Sequence, residues 1–135
     1  MSKLPFFDKK KAQAPAQEMP PDAARMKSLT IEFDQPQIEI NGIVFDLLKS
    51  DAEIFEDAMR IVDQYRKIDT ENKSSVLDAI HTMVGYVDTI LGEGAMKKIS
   101  GGKPVSIAKA QECMIRIARA AADSYEAAIR DNYDD

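Results

Sequence analysis

Apolar and polar residues alternate with two different periods along this chain, and the change of period separates strands from helices. From Leu29 to Phe33, every second residue is apolar, which is typical of a half-buried strand. The same alternation runs through residues 37–47, interrupted by Asn41-Gly42. Because both central residues of a type I′ turn need positive φ, Asn-Gly between two β-rich runs predicts a hairpin.

The hairpin, over residues 37–48, has a register that agrees with its hydrophobic pattern. A two-residue turn places Ile40 opposite Ile43 and Ile38 opposite Phe45. One face then carries the apolar side chains of Ile38, Ile40, Ile43, Phe45 and Leu47. A lone hairpin is marginal in water, so this face is expected to lie on helices or on a neighbouring chain.

Three helical patterns follow. The first, at about 50–69, starts with the capping box Ser50-x-x-Glu53. The second covers about 74–91, with a serine at its start, and the third about 106–131, behind Pro104. The predicted fold is α+β and mostly α. An N-terminal β-hairpin, extended to three short strands if residues 29–33 pair with it, precedes a three-helix body in one domain over residues 29–135.

The third helix has an apolar arc wider than one core contact requires, since its polar residues occupy barely a third of the circumference. The arc is rich in alanine, which permits close helix approach. We therefore expect a second packing partner and a homo-oligomer. The predicted protein-interaction residues are Met114, Ile117, Ala118, Ala121 and Tyr125.

The segment from Leu91 to Lys103 combines four glycines with three lysines. It is not a P-loop, because Pro104 follows the Gly-Lys pair where a hydroxyl must hold magnesium, and it does not follow a strand as a Rossmann loop does. The pattern instead predicts a helix stop, a short helical turn over 96–99 and a second stop. The predicted structural loop residues are Gly92, Glu93, Gly94, Gly101 and Gly102. Glu93 either accepts hydrogen bonds from the loop backbone or is solvated.

Composition limits the class of protein. The chain has 135 residues, of which 44% are hydrophobic and 30% charged, as in ordinary globular domains. No apolar run has the length of a membrane span or a signal peptide, and Cys113 is the single cysteine, so we expect a cytoplasmic protein without disulfides. Residues 1–28 contain four prolines and no periodic apolar face, which predicts a disordered tail. In that tail, Phe6-Phe7 is either a docking motif or a chance pair.

Charge is distributed unevenly along the chain. Residues 1–28 carry six Lys/Arg against three Asp/Glu (+3), and the remainder twelve against twenty (−8), which together give the net −5. Residues 97–119 are locally basic, with six Lys/Arg and one Glu. Such a patch can meet nucleic acid or an acidic neighbouring subunit. The acidic body and the lack of interleaved aromatic residues favour the subunit.

Candidate catalytic chemistry is sparse. His81 lies at the edge of an apolar helical stripe without a second histidine near it in sequence, which favours a partly exposed helix residue over a ligand. Cys113 is interpreted as a packed, inert thiol, and Glu56-Asp57 as a solvated pair on the first helix. No nucleophile, base and oxyanion site come together in the sequence. We therefore predict no catalytic residues, no metal site, no cofactor and no enzyme.

Two short motifs and their order along the chain resemble a known family. These are Ile40-Asn41-Gly42-Ile43-Val44-Phe45 before an acidic helix with Asp51-Ala52 and Phe55-Glu56, and Leu91-Gly92-Glu93-Gly94 before Lys97-Lys98-Ile99-x-Gly101-Gly102-Lys103. Over roughly residues 37–125 the chain resembles the tail assembly chaperones of long-tailed bacteriophages and prophages. It departs from the family where aromatic residues often precede Gly-Glu-Gly or stand at Ile99 or Ser100, and the 28-residue tail lies outside the pattern.

The resemblance implies a non-enzymatic assembly factor of the host cytoplasm. Such a chaperone binds the long, apolar tape measure protein, and in some accounts the tail tube protein, without membrane or nucleic-acid contact. Two alternatives remain open at this point: a structural subunit that stays in the virion, and a nucleic-acid-binding regulator that uses the basic segment. The sequence disfavours the regulator, because the isoelectric point is near 4.9 and no helix-turn-helix spacing is present.

Overall fold

The computed structural model describes residues 26–133 of the chain, with side chains as far as Asn132. It divides into two units that meet between Phe33 and Asp34. The predicted tail and its Phe6-Phe7 pair lie outside the described residues, except for the last three tail positions. The elements of the second unit are strands β1 (Gln37–Ile40) and β2 (Ile43–Asp46) and helices α1 (Asp51–Gln64), α2 (Lys73–Leu91), α3 (Ala95–Ser100) and α4 (Ile107–Tyr133).

The hairpin is confirmed, including its turn and register. Asn41 and Gly42 have φ values of 53° and 79°, as a type I′ turn requires. Ile40 pairs with Ile43, and Ile38 with Phe45, in an antiparallel ladder. Phe45 is buried in the core, and the other side chains of the predicted apolar face pack against it. The hairpin therefore gains from the helices the burial that it lacks alone.

The predicted strand at residues 29–33 is wrong. These residues have no regular structure, and Leu29, Ile31 and Phe33 are 81%, 71% and 92% exposed. Alternation alone does not make a strand, because the backbone also needs an edge to pair with. The described part of the sheet consists of β1 and β2 alone.

The mostly helical α+β body is confirmed, with differences at helix ends. Ser50 and Glu53 form the predicted capping box of α1. That helix ends at Gln64 rather than near 69, because the Tyr65 N–H already binds the carbonyls of Ile61 and Val62 in a tightened last turn. Asn72, not a serine, caps α2: its side-chain oxygen accepts the Ser75 N–H.

The core lies where α4 packs against α1 and α2. Its largest fully buried side chains are Ile54, Met83, Val87, Ile90 and Met114. The wide apolar arc of α4 thus has two partners within the same chain. None of the helices described here is both long and apolar enough for a membrane crossing.

Candidate docking groove

The loop between α2 and α4 is set by glycines and by one aspartate. Gly92 ends α2 with φ 112°, and Gly101 ends α3 in the left-handed region at φ 67°, as the glycine pattern predicts. The carboxylate of Asp88 accepts the Met96 N–H at 2.9 Å and the Gly94 N–H at 3.3 Å. This capping is what the sequence analysis offered to Glu93, whose side chain is instead exposed. Asp88 stands one turn before the Gly92 stop, and that spacing is a signal that the sequence analysis missed.

The loop also holds the hairpin. The Asn41 side chain donates from Nδ2 to the carbonyl of Ile99 at 3.0 Å. Ser106 then starts α4, since its hydroxyl accepts the Lys109 N–H at 3.1 Å. The hairpin, the segment after α3 and the first half of α4 are therefore fixed on three sides of one surface depression.

That depression, here called the groove, has a volume of about 740 Å³. Its apolar lining comes from β1 (Ile38 and Ile40), from the segment after α3 and from α4. The segment and the helix contribute Ile99, Val105, Cys113, Ile117 and Ala120. Pockets that take ligand or peptide side chains fall in the same range of about 300–1,000 Å³.

Charged residues border the groove with an excess of cations. The rim carries Lys103, Lys109 and Arg116 against Glu39 and Glu112. Glu112 bridges two of the cations, at 2.9 Å from Lys109 and 3.2 Å from Arg116. The Lys109 hydrogen bond holds the pKa of the Glu112 carboxyl below its usual range. This rim places part of the predicted basic segment beside an apolar floor.

The predicted interaction residues on the third helix occupy a different place. Met114, Ala118 and Ala121 are buried in the core, so they offer no free surface to a partner. Tyr125 is half-buried, and its ring meets that of Phe55 edge-to-face at 5.9 Å. Ile117 alone of the five lines the groove, and it is itself mostly covered. The width of the arc reflects two helix contacts within the chain, so it gives no independent evidence of an oligomer.

A polar cluster on the opposite part of the body corrects one further assignment. Asp57 is not solvated: its side chain is 17% exposed and binds Lys49 at 2.9 Å, Arg60 at 3.0 Å and the Tyr86 hydroxyl at 2.9 Å. The Lys49 ammonium, followed by the Tyr86 hydroxyl, lowers the pKa of the Asp57 carboxyl. Burial raises the pKa of the Tyr86 phenol. This cluster ties α1 to α2 and is structural.

The remaining candidate residues have ordinary surroundings. His81 is exposed on α2. Cys113 is half-buried, and burial raises the pKa of its thiol, which disfavours the reactive thiolate. In the described residues, no three His, Cys, Asp or Glu side chains are grouped as a metal site would need. Comparison of the chain with protein families, with curated proteins and with solved structures found no match.

Proposed function

We propose that this protein is an assembly chaperone of bacteriophage tails that binds apolar segments of the tape measure protein in the groove. The observation that carries the proposal is the groove itself, an apolar floor of about 740 Å³ next to a cationic rim. The resemblance of the hairpin and Gly-Glu-Gly motifs to the tail assembly chaperones supplies the class of client. The site of action is the host cytoplasm, before the tail is complete.

The lining of the groove suits a client helix that presents apolar side chains. Ile38, Ile40 and Val105 are partly exposed on its floor, so an occupant gains burial at about 25 cal/mol per Å² of apolar surface. Lys103 on the rim makes no ion pair among the described residues and is available to a client carboxylate. Burial is therefore expected to dominate affinity, and the rim to contribute orientation.

The test is co-expression with the tape measure protein of the same tail gene cluster. Capture of that protein in soluble form, with salt lowering the yield only modestly, supports the proposal. A matched pair of variants locates the site. Ala120→Arg fills the groove from α4, whereas Ala128→Arg makes the same change at an exposed position of α4 outside it. Only the first should lose capture.

A gel-shift assay with DNA and RNA separates the regulator from the chaperone. Nucleic-acid binding that falls steeply with salt and is lost in Lys103→Glu, without tape measure capture, would support the regulator. Capture of the tail tube protein or retention in finished particles would instead favour a structural subunit.

A further inference from the structure

The outer edge of β1 borders the groove and has no strand beside it in the described chain. In the hairpin, the Ile40–Ile43 and Ile38–Phe45 pairs exchange hydrogen bonds, and the series continues with the Leu47 N–H bound to the Pro36 carbonyl at 2.9 Å. The backbone groups of Gln37 and Glu39 therefore point away from β2. An edge of this kind is a template for an added strand.

The same chain contains a segment with the pattern of such a strand. Leu29, Ile31 and Phe33 alternate with Thr30 and Glu32, and the three apolar side chains are almost fully exposed. An exposed run of large apolar residues with strand periodicity marks an interaction surface. We propose that residues 29–33 of one copy add as a third strand to the β1 edge of a second copy. This proposal is independent of the proposed function.

One antiparallel register satisfies both faces of the added strand. With Glu32 opposite Gln37 and Thr30 opposite Glu39, the outward backbone groups of β1 meet the backbone of the added strand. Leu29 and Ile31 then lie on the apolar face, next to Ile40 and Ile38. This register separates Glu32 from Glu39, which the register shifted by two residues would place together.

Charge favours the same occupant. The segment from Ser28 to Asp34 carries two acids and no base. The groove beside β1 carries three cations against two acids. The segment is thus apolar on one side, acidic at its end and opposite in charge to the rim that it approaches.

The chain's own β1 is a poor acceptor for this segment. A two-residue turn at Asp34-Gln35 requires Phe33 and Pro36 to exchange hydrogen bonds. Pro36 has no N–H, and its carbonyl already accepts the Leu47 N–H. The exchange therefore takes place between copies.

Cysteine cross-linking in the full chain tests the contact directly. On a Cys113→Ser background, a Thr30→Cys protein is mixed with a tagged Glu39→Cys protein under mild oxidation. The control replaces Glu39→Cys with Val44→Cys, because Val44 is the exposed cross-strand partner of Glu39, one strand further away. We expect a mixed disulfide with Glu39→Cys at least about tenfold faster than with Val44→Cys, since a disulfide needs Cβ atoms about 4 Å apart. Equal rates would overturn the register and the edge.

Sedimentation across a concentration series supplies the second readout. Glu39→Pro removes an outward N–H without touching the pairing of β1 with β2, whereas Val44→Pro makes the same change on the other edge. Wild type and Val44→Pro should self-associate, and Glu39→Pro and Ile31→Ser should do so at least about tenfold more weakly, with unchanged circular dichroism. A monomeric wild type at 100 μM, or equal self-association of all four proteins, would contradict the exchange.

Discussion

The side chain of Asn41 binds the carbonyl of Ile99 across 3.0 Å, joining the hairpin turn to the end of α3. The same residue holds φ 53°, which the turn requires. One asparagine therefore sets both the register of the hairpin and its position over the groove.

The Asn41–Ile99 bond predicts a measurable loss on Asn41→Gly. Glycine keeps the positive φ of the turn but removes the amide donor, so the free energy of unfolding should fall by about 1 kcal/mol in urea titration. Asn41→Asp should be less stable than Asn41→Gly at pH 7, because its carboxylate faces the carbonyl without a proton. Equal stability of the three proteins would mean that the bond contributes nothing.

Gly42 gives a second test of the turn. An added Cβ would meet no atom within 4 Å, so steric contact is not the issue. The cost of Gly42→Val should come from its φ of 79° alone, at about 1 kcal/mol or more. Gly42→Asn should cost less, because asparagine tolerates the left-handed region. If thermal unfolding finds valine and asparagine equivalent at this position, backbone strain does not explain the glycine.

Asp88 and Glu93 make a matched pair in the glycine-rich loop. Asp88→Ala leaves the backbone N–H groups of Gly94 and Met96 without their acceptor, and should lower the free energy of unfolding by about 1–2 kcal/mol. Glu93→Ala removes an exposed acid nearby and should change it by less than about 0.5 kcal/mol. A larger effect at Glu93, measured by urea titration, would return the capping role to that residue.

Local rules predicted what depends on neighbouring residues. The Asn-Gly turn, the Ser50 capping box and the glycine stops were all predicted, because each is decided within four residues of chain. The Asn41–Ile99 and Asp57–Tyr86 contacts were missed, since they join residues 58 and 29 positions apart. The arc of α4 was seen but misassigned, because a helical wheel does not show whether a second partner lies in the same chain. Half the groove was named residue by residue; its assembly depends on that tertiary packing.

The Asp57 cluster predicts acid sensitivity. Because the folded pKa lies below the unfolded value near 4, the contribution of Asp57 is complete above about pH 4 and is lost as pH falls through the folded pKa. Asp57→Asn should therefore lower stability at pH 7 by about 1–3 kcal/mol and flatten the fall in acid. The control is Glu56→Gln at the exposed neighbouring position. Parallel pH profiles for wild type and Asp57→Asn would contradict this account.

The burial of Ala118 predicts that a charge there unfolds the protein. Ala118 is 1% exposed where α4 packs in the core, so Ala118→Glu should lower the free energy of unfolding by at least about 3 kcal/mol. Arg119→Glu, at the next and exposed position, should change it by less than about 1 kcal/mol. If α4 were instead an oligomer surface through Ala118, the glutamate would lower the mass of the assembly and leave the monomer folded. Circular dichroism and sedimentation on the same samples distinguish the two, and we expect loss of helix signal in Ala118→Glu alone.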